Sequence, residues 1–134
     1  MLHLALLSYD HMEYEIDRDA NEEPSIVEMT QKAIELLEKN EKGYFLLVEG
    51  GRIDHGHHSS KAKKAIEDFV VFDESVGKGL DMTSEKDTLL IVTADHSHTF
   101  TIGGYSARGN DIYGKFSWQL VRHLCFLLII KELL

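Results

Sequence analysis

Cysteine is almost missing from this chain, basic residues are scarce, and no apolar run approaches the length of a membrane span. Cys125 stands alone, so an internal disulfide is excluded and the redox compartment is not legible; a lone thiol of this kind reads as a small buried hydrophobe. With 14 basic against 23 acidic residues, a net charge of −9 works against nucleic acid and anionic membranes as partners, because their phosphates would be repelled. The run at residues 124–130 falls far short of the roughly 20 residues that cross a bilayer. The apolar start, residues 1–7, has no basic lead and no cleavage motif before Asp10, so no signal peptide is expected. Internal repeats and low-complexity linkers are missing too.

What remains is the balance of one globular domain, 43% hydrophobic and 28% charged in 134 residues. Eight histidines accompany the carboxylates. An anionic substrate approaching so acidic a chain would need positive charge from elsewhere, and a divalent cation is often the largest local charge in a site.

Residues 24–40 place Ile26, Met29, Ala33, Ile34, Leu36 and Leu37 on one helical stripe, with Pro24 in the first turn. Residues 44–48 form a continuous apolar run between Gly43 and Glu49, which suits a strand buried on both faces. A second helix is expected from about Ser59 to Val76. It turns Ala62, Ala65, Ile66, Phe69, Val70 and Phe72 inward and Lys61, Lys63, Lys64, Glu67 and Asp68 outward, and it stops at Gly77 and Gly79. Residues 88–93 make a second β-branched strand ending at Asp95 and His96. Strand, helix, strand is a βαβ unit, so the expected class is α/β, a partial parallel sheet with flanking helices.

Ligands of open α/β sheets gather beyond the carboxyl ends of the strands, and potential metal ligands stand at both ends here. Asp54 and His58 are four apart, so a helix at this point would bring both to one ion. Carboxylate oxygen with imidazole nitrogen suits zinc, whereas Glu49, a lone hard oxygen, suits magnesium. Asp95 and His96 are adjacent and could also share an ion. The competing reading of these groups is a solvated polar loop. His55, His57 and His98 could each hold a ligand in place or simply bond to water.

The strings FLLVEGGRIDHGHH at 45–58 and TLLIVTADHSHTFTIGGYSARGN at 88–110 closely resemble the animal and related bacterial alkaline phosphatases, as does the stretch 9–37. The resemblance runs in one register from about Leu7 to Gly114. It implies phosphate-monoester hydrolysis through a phosphoserine. Asp54 and His58 match ligands of a first zinc, Asp95 and His96 ligands of a second, and Glu49 a ligand of magnesium. Two ions clamping the entering and leaving oxygens speed an in-line displacement. The family is typically homodimeric and either extracellular or anchored at the cell surface.

The same resemblance places the nucleophilic serine, the aspartate shared between zinc and magnesium, and the phosphate-gripping arginine before the matching segment, and the last histidine of the first zinc beyond it. The chain alone is therefore expected to be catalytically silent. Arg52 reads as a loop-packing residue and not as the missing arginine. Calcium, bound by many animal members, would find Ser8 in place of its first carboxylate, with Glu23 left either to serve it or to act as a helix-start acid. Residues 1–114 read as a fragment of an alkaline phosphatase domain and 115–134 as a divergent apolar tail, for which a genuine terminal helix is the competing view. Competing functions are a mutase or sulfatase of the same metal-dependent superfamily, against which the long GGRIDHGHH string argues, and a non-catalytic metal-binding module.

Overall fold

Ser25 starts the first helix by a reciprocal cap. In the computed structural model, which describes residues 5, 7–104 and 107–113, its Oγ accepts from Glu28 N at 3.2 Å while Glu28 Oε2 accepts from Ser25 N at 2.7 Å. Helix α1 spans Ile26–Leu37. Pro24 therefore lies before the cap and not in the first turn, because Ser25 supplies the oxygen that the first free amides need. The inward stripe centres on Ile34, with Thr30 buried beside it. Gly43, at φ +81, turns the chain after α1, and Asn40 Nδ2 donates to its carbonyl at 2.8 Å.

Helix α2 spans Arg52–His58 and α3 spans Ala62–Met82. The expected second helix thus starts later than Ser59, since residues 59–61 close α2. Ser60 adopts φ +53, its N donates to His57 O at 2.9 Å, and Lys61 N donates to Gly56 O at 2.9 Å. Those two bonds are the Schellman arrangement that satisfies the last carbonyls of a helix. At its other end α3 runs through Gly77 and Gly79 and stops at Thr83, whose Oγ1 donates to Gly79 O at 2.8 Å. Gly79 is buried against Leu90, so it marks a close approach and not a stop.

Packing explains further departures on α3. Its most buried residues are the small Ala65, Ser75 and Gly79, while Phe69 and Val70, expected inward, are exposed. Small residues let neighbours come close. A Cβ on Gly56 of α2 would lie 2.7 Å from Ala65 N and 2.9 Å from its Cα, so the α2–α3 contact needs glycine there. Asp68, expected outward, is half-buried and accepts from Glu15 N at 3.3 Å across to the short 3₁₀ turn Glu15–Asp17.

No β-strand is formed among the described residues; 44–48 and 88–93 carry no regular ladder. Exposure nevertheless alternates along the two runs. Phe45, Leu47, Leu89 and Ile91 are 74–88% exposed, whereas Tyr44, Leu90 and Val92 are 37–40% exposed. The expected burial on both faces is therefore not met: Leu90 rests against Gly79 of α3, while the alternate side chains of both runs are open. The chain divides into two units, Met1–Val92 and Thr93–Leu134, each described by itself. The expected tail, 115–134, and Cys125 within it lie outside the described residues.

Candidate metal centre

The Gly50-Gly51 turn leads directly into α2, which determines where its acids and histidines point. A Cβ on Gly50 would sit 3.0 Å from Phe72 Cδ2 of α3, so the turn lies tight against that helix. One turn of α2 separates Asp54 from His58. Their donor atoms face each other, Asp54 Oδ2 lying 3.4 Å from His58 Nε2. A carboxylate oxygen and an imidazole nitrogen at this separation fit around a cation of zinc's chemistry.

Glu49 is exposed just before α2, and its Oε1 curls back over Gly51, 3.4 Å from where a Cβ there would stand. His55 turns elsewhere. Its Nδ1 lies 3.3 Å from Arg52 Nη1, and its ring meets that of His11 edge-on with centroids 4.6 Å apart. A guanidinium only donates, so His55 Nδ1 accepts and the ring proton resides on Nε2. His57 takes part through its carbonyl in closing α2. Glu23 accepts from Glu13 N at 2.9 Å through Oε2, and Ser8 Oγ donates to His11 O at 3.4 Å.

In the second unit, Asp95 and His96 lie in an exposed bend. Asp95 Oδ1 accepts from His96 N at 3.1 Å, which leaves Oδ2 toward His96 Nε2 at 3.6 Å. His96 Nδ1 lies 3.0 Å from Ser97 O, and because a carbonyl only accepts, Nδ1 is the donor there. His98 Nδ1 is held in the same way by Thr99 O at 3.1 Å.

Tyr14 and His11 carry no signal in the sequence. Tyr14 is 8% exposed, with the Arg52 guanidinium 3.9 Å and Lys64 Nζ 4.4 Å from its ring centroid. These contacts join residues distant in sequence, and no periodicity announces them.

Two Asp–His pairs with facing oxygen and nitrogen donors have the ligand chemistry of a metalloprotein. The alkaline phosphatase family model matches residues 2–130, and the chain belongs to that family. The tissue-nonspecific alkaline phosphatase of Rattus norvegicus is 57% identical over 111 residues, which cover 83% of this chain and 21% of the relative. That of Homo sapiens is 54% identical over the same shares, and the alkaline phosphatase of Gadus morhua is 50% identical over 83% of this chain and 23% of its own length. The chain thus spans about a fifth of the length of these relatives. No helix among the described residues is long and apolar enough to cross a membrane.

Proposed function

We propose that this chain carries part of the metal-ligating apparatus of a phosphate-monoester hydrolase. Membership of the alkaline phosphatase family supports the reaction class, and the facing Asp54–His58 pair on α2 is the observation that carries the reading. Asp54 and His58 would hold one zinc, Asp95 and His96 a second, and Glu49 a magnesium ion. When bound, such ions neutralise charge on a transferring phosphoryl group and lower the pKa of an attacking hydroxyl or water.

The residues themselves preset the donors. Asp95 Oδ1 accepts from the backbone N of His96 and Oδ2 faces His96 Nε2, and these two facing atoms are the ones that would hold the ion. Each zinc would keep two protein ligands from this chain, fewer than the three of a catalytic zinc, and magnesium one, so affinity should be weak and turnover by the chain alone absent. The finer fold reading belongs here as well: the alternating exposure of 44–48 and 88–92 has the two-residue period of strands, and their pairing as neighbouring parallel strands of a larger sheet follows the family. A phosphoserine route, homodimerisation and placement outside the cell or at its surface follow the family in the same proposal.

The test is a chimera in which residues 7–114 replace the matching segment of the rat relative. Hydrolysis of a chromogenic phosphate ester should persist in the chimera and fall at least about a hundredfold with Asp54→Ala. A folded chimera that is inactive, or one indifferent to Asp54→Ala, contradicts the assignment. The purified chain with zinc and magnesium should show no turnover; turnover abolished by Asp95→Ala would overturn its silence.

A further inference from the structure

Helix α2 has only seven residues, and its start lacks the usual anchor. Gly51 at the N-cap makes no side-chain hydrogen bond. In its place the first residue of the helix, Arg52, lays its guanidinium over the ring of Tyr14 at 3.9 Å. The ring's second cation, Lys64 of α3, lies 4.4 Å from its centroid and is paired with Asp17. Tyr14 is buried between the two helices' cations, immediately before the 3₁₀ turn.

Arg52 Nε is buried without a hydrogen-bond partner, while Nη1 contacts His55 Nδ1 at 3.3 Å. A weakly hydrated guanidinium tolerates that placement where an aromatic face supplies the attraction. Arg52 and His55 both belong to α2, and Asp54 lies between them. Fixing those two side chains against Tyr14 and His11 therefore fixes the rotation of the whole two-turn helix, including the face that bears Asp54 and His58.

We propose that Tyr14 is a positioning residue for the first metal pair: clasped by Arg52 and Lys64, its ring sets the rotation of α2 and so the angle at which Asp54 and His58 meet a divalent cation. This rests on the metal-binding reading above. The ring acts through its π-face, so its hydroxyl should be dispensable, and loss of the ring should misalign the ligands without removing either of them.

Cobalt(II) titration of the full chain, followed by visible absorption, tests this directly. The Asp54-dependent signal is defined first, as the part lost with Asp54→Asn. Tyr14→Phe should bind cobalt within about twofold of the parent chain, whereas Tyr14→Leu should bind about tenfold more weakly and shift the absorption band. Arg52→Gln should act like Tyr14→Leu, and it carries the decision should Tyr14→Leu lose its helical circular dichroism. Equal affinity and an unshifted band in Tyr14→Leu, or in Arg52→Gln where that variant decides, would overturn the positioning role and leave the metal reading standing. A parent chain with no Asp54-dependent signal would overturn both.

Discussion

Burial holds the Asp68 carboxyl above its ordinary 3.8, although the hydrogen bond from Glu15 N and the charge of Arg52 pull the other way. The folded state then binds a proton more readily than the unfolded chain does. Its contribution is fully present below the unfolded value and is lost as pH rises through the folded one. Asp68→Asn keeps an oxygen for Glu15 N and removes the charge. The variant should therefore match the parent chain in acid and become the more stable of the two as pH rises above the ordinary carboxylate range, as read by urea midpoints from roughly pH 3 to pH 7. A difference that is constant with pH would exclude this account. Helical periodicity alone turned Asp68 to solvent, because it knows nothing of the 3₁₀ turn that receives it.

Helices were the legible elements, and their ends were not. The apolar stripe of α1 is plain in the sequence, yet its start was settled by a hydrogen-bonded exchange between Ser25 and Glu28. In α3 a glycine that would ordinarily punctuate a helix, Gly79, serves contact with Leu90. The i, i+4 spacing of Asp54 and His58 foretold that they would meet if a helix formed there, and α2 does form. What spacing could not foretell was how so short a helix is held, since Tyr14 and His11 come from a distant stretch. The end of α2 offers its own test. Ser60 sits at φ +53, a conformation that costs a residue with a Cβ about 1–2 kcal/mol. Ser60→Gly should relieve part of that cost and raise stability by up to about 1 kcal/mol, partly offset by glycine's greater freedom when unfolded. Lower stability on chemical denaturation would mean that the serine side chain contributes more than its backbone strain removes.

Whole-chain behaviour should follow from the open side of the two extended runs. Phe45 and Leu47 from one run, with Leu89 and Ile91 from the other, leave large apolar side chains in water, although alternate neighbours are partly covered. Unbroken apolar runs mark strands covered on both faces, which is why the sequence points to double-sided burial. Here α3 supplies cover at Leu90, and the chain spans about a fifth of the length of its relatives. Exposed apolar surface of this kind attracts hydrophobic probes and other copies of itself. The chain should bind anilinonaphthalene sulfonate while retaining its helical circular dichroism, and it should sediment faster as concentration rises. Leu47→Lys combined with Ile91→Lys should lower both signals and leave the helices intact, because neither side chain is packed. Undiminished probe binding in that double variant would locate the sticky surface elsewhere. Loss of helicity would instead show that these two side chains are already packed in solution.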